Sequence, residues 1–270
     1  MTDARNLRVA CLMMQRDEAD LLRPWVMYHA ALFGIENIFV FDNGSTSPSV
    51  ILELVEFARK GLNVDWKHSG PEDFHSKGEI LGSLIVSLAN RYDFFLPLDC
   101  DEFFVLQTGE WKIACDQPAI RAGLAQIAGE GRALQVKWAY YNVLNTPDSF
   151  WRWPHQKTFF AGDSLVSLDH GYHQGRTKAG GTLETSFAHM HYHHKPYSLM
   201  VEHSKNKLRA YVDVDDRAAL EDYKGMNYHC TTVLLQGPEV YNGRFTASSG
   251  DRIPEFPAFL RSIGAPVPFG

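Results

Sequence analysis

Cysteine is scarce and scattered. Cys11, Cys100, Cys115 and Cys230 are the only four in 270 residues, and no two form a Cys-x-x-Cys pair. That spacing suggests neither a disulfide framework nor a zinc knuckle, and it suits a reducing compartment. No apolar run approaches the roughly 18–20 residues needed to span a bilayer. No signal peptide precedes the apolar run that opens at Leu7. A basic excess is also missing: 26 Lys and Arg face 32 Asp and Glu, a formal net charge of −6, which argues against a nucleic-acid partner. Internal repeats, low-complexity runs and linkers are absent too. The expectation is a soluble, cytoplasmic protein with no transmembrane segment, for which peripheral association is the membrane contact left open.

What is present reads as one domain over residues 1–270. Leu7–Met14 is a strand-like apolar run, and Ala19–Phe33 carries apolar residues at helical spacing, with Pro24 near its start and Gly34 at its end. Ile38–Phe41 reads as a strand, Ser49–Gly61 as a helix, Leu62–Trp66 as a strand, Ile80–Ala89 as a helix and Phe94–Leu98 as a strand. This β-α-β-α-β-α-β order predicts a mostly parallel sheet flanked by helices. Beyond it, Pro118–Ala128 looks helical, Ala133–Tyr141 strand-like and Tyr197–Tyr211 helical. Residues 142–185 read as irregular, 226–235 as ambiguous, and the five prolines after Gly237 as an extended arm.

The most informative segment is Phe94-Phe95-Leu96-Pro97-Leu98-Asp99-Cys100-Asp101-Glu102. It places three acids at the carboxyl end of a buried strand, where open parallel sheets receive their ligands. Carboxylates gathered there repel one another and are costly to desolvate unless a cation neutralises them. An all-oxygen set suits Mg²⁺ or Mn²⁺, which bridge carboxylates to phosphates. Asp42-Asn43-Gly44-Ser45-Thr46, after the second strand, should lie at the same sheet edge. Its acid can accept a hydrogen bond from a nucleobase or ribose, and Gly44 allows close backbone approach. His189, His191 and His193 alternate, so they share one strand face, and imidazole is a reasonable Mn²⁺ ligand. Such a cluster also fits zinc, although no His-Glu-x-x-His helix accompanies it. His170 and His173 lie in a loop that could line the same cleft. Lys205 or Lys207 could meet a diphosphate.

Arg16-Asp17-Glu18, the Trp25-x-x-Tyr28-His29 helix, Asp42-Asn43-Gly44-Ser45-Thr46 and Leu98-Asp99-Cys100-Asp101-Glu102-Phe103 together resemble the family 2-like and family 92-like (DUF23-type) glycosyltransferases of the GT-A fold. The resemblance covers residues 7–105 and continues weakly through Lys137-Trp138 and His191-Tyr192. It implies a Rossmann-like α/β domain, with a nucleotide-sugar-binding half at 1–105 and an acceptor-binding half with a C-terminal arm at 106–270. It further implies metal-dependent, inverting transfer of a hexose from a UDP-sugar to a glycan or lipid-linked acceptor, as in polysaccharide biosynthesis. On that footing Asp42 holds the base and Glu18 supports the ribose or base end. Asp99 meets the ribose or the metal, Asp101 binds Mn²⁺ or Mg²⁺, and His191 completes the metal site. Glu102 orients a neighbouring group or the acceptor. The general base is sought among Asp163, Asp169 and Glu184, with Asp169 favoured; His173 and Glu102 are the other candidate catalytic groups. A metal-dependent nucleotide-sugar phosphohydrolase and a nucleotide-binding protein without turnover are the alternatives.

Overall fold

The structure, a computed structural model, describes residues 7–245 and 250–269. The N-terminal half follows the expected alternation. Strand β1 (Val9–Gln15) leads to helix α1 (Ala19–Phe33), then β2 (Ile38–Asp42), α2 (Pro48–Arg59) and β3 (Asn63–Asp65). Short α3 (Pro71–His75) and α4 (Lys77–Leu88) lead to β4 (Phe94–Pro97). These four strands pair in parallel in the order β3-β2-β1-β4. The continuous burial of β1 and β4 explains their apolar runs, because helices cover both faces there. Gln15 pairs in register with Asp42, so the ends of β1 and β2 lie side by side.

The C-terminal half widens the same sheet. Strand β5 (Glu102–Gly109) pairs with β6 (Lys112–Ala114), and α5 (Gln117–Gln126) leads to β7 (Ala133–Val143) and β8 (Thr146–Ala161). Short β9 (Leu165–Leu168) and β10 (Gly175–Thr177) form a separate hairpin, followed by β11 (Thr182–Glu184) and β12 (Phe187–His191). The order continues from β4 through β8, β7, β12 and β5 to β6, with mixed directions. Helices α6 (Tyr197–Leu208), α7 (Arg217–Asp222), α8 (His229–Leu235), α9 (Pro238–Gly243) and α10 (Glu255–Ser262) complete the chain. Among the described residues, no helix is long and apolar enough to cross a membrane.

Two expectations need correction. Residues 142–185 are not irregular: the sixteen-residue β8 runs through them, antiparallel to β7. Pro154 sits where the register slips, with Val136 opposite Lys157 and Trp138 opposite Pro154, so β8 carries an extra residue there. A bulge tolerates the missing N–H and re-aims nearby side chains. The segment after Gly237 is not an extended arm either. Pro238 opens α9 and Pro254 caps α10, the positions at which a helix accepts proline.

Candidate functional site

The loop after β1 and the turn after β2 are tied into one unit. Gln15 Nε2 donates to Asp42 Oδ1 at 2.6 Å, and Ser45 Oγ and its backbone N–H donate to the same carboxylate at 2.5 and 3.0 Å. Gln15 Oε1 accepts the Glu18 N–H at 3.2 Å. Asp17, at φ +55°, accepts the N–H groups of Thr46 and Ser47 at 2.8 Å and so ties the loop after β1 to the segment that leads into α2. Gly44 has φ +73°, and a Cβ there would stand 2.6 Å from the Ser69 carbonyl oxygen. The close approach it permits is therefore to the chain's own backbone.

Asp99 is held by two ammonium groups, Lys77 Nζ at 2.7 Å and Lys157 Nζ at 2.5 Å. Both lysines are buried and lie over the Tyr172 ring, at 4.6 and 5.2 Å from its centroid. Burial alone would raise the Asp99 pKa, but Lys157 and Lys77 outweigh it and hold the carboxyl well below its ordinary value. Burial likewise pulls the Lys157 ammonium down, and Asp99 with Glu102 more than reverses it. Glu102 is fully buried. Its Oε2 accepts the Asp99 N–H at 3.0 Å, and its Oε1 lies 3.0 Å from Lys157 Nζ.

Asp101 has histidine partners instead. Its Oδ2 is 3.3 Å from His191 Nε2, and Asp101, His191 and His193 each bring a ligand atom within 4.8 Å of the others. Burial opposes charge on His191, yet the charge and hydrogen bond of Asp101, followed by Glu102, raise its pKa. Two imidazoles and a carboxylate on a partly exposed rim suit a divalent cation that keeps waters and meets phosphate oxygens. In a second trio, Glu102, His155 and His191, the ligand atoms also lie within 4.8 Å of one another, deeper inside.

The remaining expected residues fall at different distances from this centre. Glu18 pairs with Lys195 at 2.6 Å. Among the described residues, no hydrogen bond or ion pair joins Asp42 to Asp99, Asp101 or Glu102. Asp169 accepts the Gln174 and Gly171 N–H groups at 2.7 and 3.3 Å, so its carboxylate organises the turn between β9 and β10. His173, on the same turn, is exposed, and its ring centroid is 5.3 Å from that of His155. Its Nδ1 is 2.7 Å from the Gln156 carbonyl oxygen, so Nδ1 donates and Nε2 keeps the lone pair. Lys205 pairs with Asp215 at 2.7 Å and lines a cavity of about 240 Å³ with Tyr197, Val201 and Leu234. Lys77, His155 and Lys157 were not foreseen. The last two lie in the segment read as irregular, and the signal that could have found them was the Trp-x-Trp-x-His-x-Lys alternation from Trp151 to Lys157.

No protein-family model matches the chain, and no curated protein matches it in sequence. Solved structures are similar to it at low identity. Staphylococcus aureus TarS is 12% identical, with a TM-score of 0.42, over 94% of this chain and 47% of that one. The chain thus spans about half the length of that protein. TarS 1-349 in complex with UDP is 12% identical, with a TM-score of 0.40, over 96% of this chain and 79% of that one. Glucosyl-3-phosphoglycerate synthase from Mycobacterium tuberculosis, in complex with Mn²⁺, UDP and glucosyl-3-phosphoglycerate, is 13% identical, with a TM-score of 0.35, over 76% of this chain and 78% of that one.

Proposed function

We propose that the chain is a metal-dependent, inverting glycosyltransferase of the GT-A group, which takes a UDP-sugar donor and transfers a hexose to a glycan or lipid-linked acceptor. The observation that carries this reading is the trio Asp101, His191 and His193, just beyond β4 and at the end of β12, beside an Asp99 already neutralised by two lysines. With Asp99 compensated, Asp101 is the acid left to ligate Mn²⁺ or Mg²⁺. A dication bound there supplies charge neutralisation for a departing nucleoside diphosphate.

The protein's own groups have these roles. Asp42 receives the base on the one carboxylate oxygen, Oδ2, that accepts a single hydrogen bond, and Glu18, fixed by Lys195, supports the ribose. The donor half is residues 1–105. The acceptor half, 106–270, also furnishes the histidines and Lys157. His173 takes the proton of the acceptor hydroxyl through Nε2, since Asp169 is engaged by its turn and Glu102 is sealed inside. Trp153 is 65% exposed and shares a sheet face with Trp151 and Tyr141, a platform on which an acceptor sugar ring can stack.

Thermal unfolding with UDP, UDP-sugars and Mn²⁺, followed by a product search with candidate acceptors, tests the reading. Stabilisation that needs both UDP and Mn²⁺, with sugar found on the acceptor, supports it. No stabilisation by UDP with Mn²⁺ overturns the donor assignment, and release of free sugar or sugar phosphate regardless of acceptor identifies a phosphohydrolase instead.

A further inference from the structure

We propose that Glu102, His155 and His191 form a second divalent-cation site, deeper than that of Asp101 and His193, which takes Zn²⁺. The trio spans three strands of one sheet, β5, β8 and β12. One ligand atom from each residue lies within 4.8 Å of the others. Glu102 Oε1, His155 Nε2 and His191 Nδ1 are all buried and lack a hydrogen-bond partner. A buried polar atom left unpaired is destabilising, and the two ring nitrogens beside the Glu102 carboxylate form a donor set that a cation satisfies. Of the three, Glu102 Oε1 has an ion-pair partner, Lys157 Nζ at 3.0 Å, and it lies 3.5 Å from His155 Nε2.

The surrounding groups hold these donors in place. His155 Nδ1 is 3.1 Å from the Tyr141 hydroxyl, and Glu102 Oε2 accepts the Asp99 N–H, the kind of outer contact that fixes metal ligands. Charge permits the ion. Asp99, Asp101 and Glu102 bring three negative charges and Lys77 and Lys157 two positive ones, so the cluster of acids and lysines as a whole keeps one net negative charge. Burial separates the two trios chemically. The outer one includes exposed His193 and half-buried Asp101, which suits a hydrated Mg²⁺ or Mn²⁺, whereas two of the three inner residues are buried. Three protein ligands with one open position, two of them imidazoles, are the usual set for four-coordinate Zn²⁺. Because both trios need His191, they fill one at a time, and Zn²⁺ inside displaces Mn²⁺ from the rim.

The inference shares His191 with the proposed function but stands on separate residues, which allows a double dissociation. Zn²⁺ affinity is measured by chelator competition and Mn²⁺ affinity by electron paramagnetic resonance, on the metal-stripped 270-residue chain without nucleotide. His155→Ala is expected to weaken Zn²⁺ at least about tenfold and to leave Mn²⁺ unchanged, with His193→Ala doing the reverse. Isosteric Glu102→Gln should repeat the His155→Ala pattern, and thermal unfolding verifies that each variant is folded. Unchanged Zn²⁺ affinity in both inner variants, or equal weakening of both metals, overturns the inner site. If the wild type binds Zn²⁺ through His155 but no Mn²⁺, the rim assignment fails and the inner site stands.

Discussion

Lys157 Nζ lies 2.5 Å from Asp99 Oδ2, and the same ammonium is 3.0 Å from Glu102 Oε1. One buried lysine from β8 therefore joins the first and last acids of the Asp99–Glu102 turn. Removing one partner of a buried charge cluster is far costlier than removing all of it. Lys157→Met should lower the unfolding free energy by about 3–5 kcal/mol at neutral pH. Adding Glu102→Gln should recover part of that loss. Urea unfolding of the single and double variants measures both effects, and a double variant no more stable than the single would contradict the coupling.

His29 gives the fold an acid-sensitive element away from the metal groups. It is fully buried, its Nδ1 donates to the Trp25 carbonyl oxygen at 2.9 Å, and its Nε2 faces the Phe104 N–H at 3.4 Å. Burial lowers its pKa from 6.5 to about 3, only partly offset by the Trp25 bond. A depressed folded pKa means that its stabilising contribution is complete above pH 6.5 and is lost as pH falls towards 3. Each such group adds a slope of about 1.4 kcal/mol per pH unit within that window. His29→Gln should flatten the stability–pH curve there by that amount, and parallel curves for variant and wild type would refute the assignment.

Asp101 and His191 behave in the opposite sense. Burial is the largest influence on His191 and pulls its pKa down, but Asp101 outweighs it and the value ends above the ordinary one. The pair therefore stabilises the metal-free protein below about pH 6.5, and that contribution fades as pH rises through the raised pKa. In Asp101→Asn the His191 ring should titrate lower than in wild type, followed by nuclear magnetic resonance on metal-free protein. A His191 titration that does not move would show that the 3.3 Å contact carries no charge interaction.

The N-terminal half was legible because its signals are local. Phe94–Leu98 is apolar throughout since β4 is buried on both faces, and the acids after it fall at the carboxyl edge as parallel pairing requires. The cations compensating those acids were not legible. Lys157 reaches Asp99 across 58 residues, through a strand whose Pro147 and Pro154 argue against any strand. Pairing with β7 and a bulge at Pro154 overrule that local signal. The alternation of His189, His191 and His193 was readable locally, and His191 was singled out among them by the family resemblance, whereas His155 needed β8 to be placed first. Lys205 looked available for a diphosphate because a neighbour ten residues on, Asp215, claims it only in the folded chain.

Gly78 couples α4 to the turn that carries His173. A Cβ at Gly78 would stand 2.5 Å from the Asp169 carbonyl oxygen and 2.7 Å from that of Leu168, both backbone atoms that cannot simply rotate away. Gly78→Ala should therefore displace the β9–β10 turn, at a stability cost of about 1–3 kcal/mol. A displacement near 1 Å costs about 100-fold in rate where a catalytic group is misplaced. Mn²⁺ affinity should hold, because Asp101, His191 and His193 lie on other elements. Retained transfer rate in a destabilised Gly78→Ala would separate the turn from catalysis.

His173 offers the sharpest test of the proposed chemistry. Its Nδ1 is committed to the Gln156 carbonyl oxygen, which leaves Nε2 as the acceptor on an exposed ring beside His155. If Nε2 receives the acceptor proton, His173→Ala should slow transfer by about 10²–10⁴-fold. The affinities for UDP and Mn²⁺ should stay within about twofold, since the residue acts only as bonds change. Added imidazole should then restore part of the rate to His173→Ala and none to Asp101→Ala, whose defect is in metal binding. Should His173→Ala instead lose UDP affinity and resist imidazole, the ring belongs to donor binding, and the base must be sought at Asp163 or Glu184.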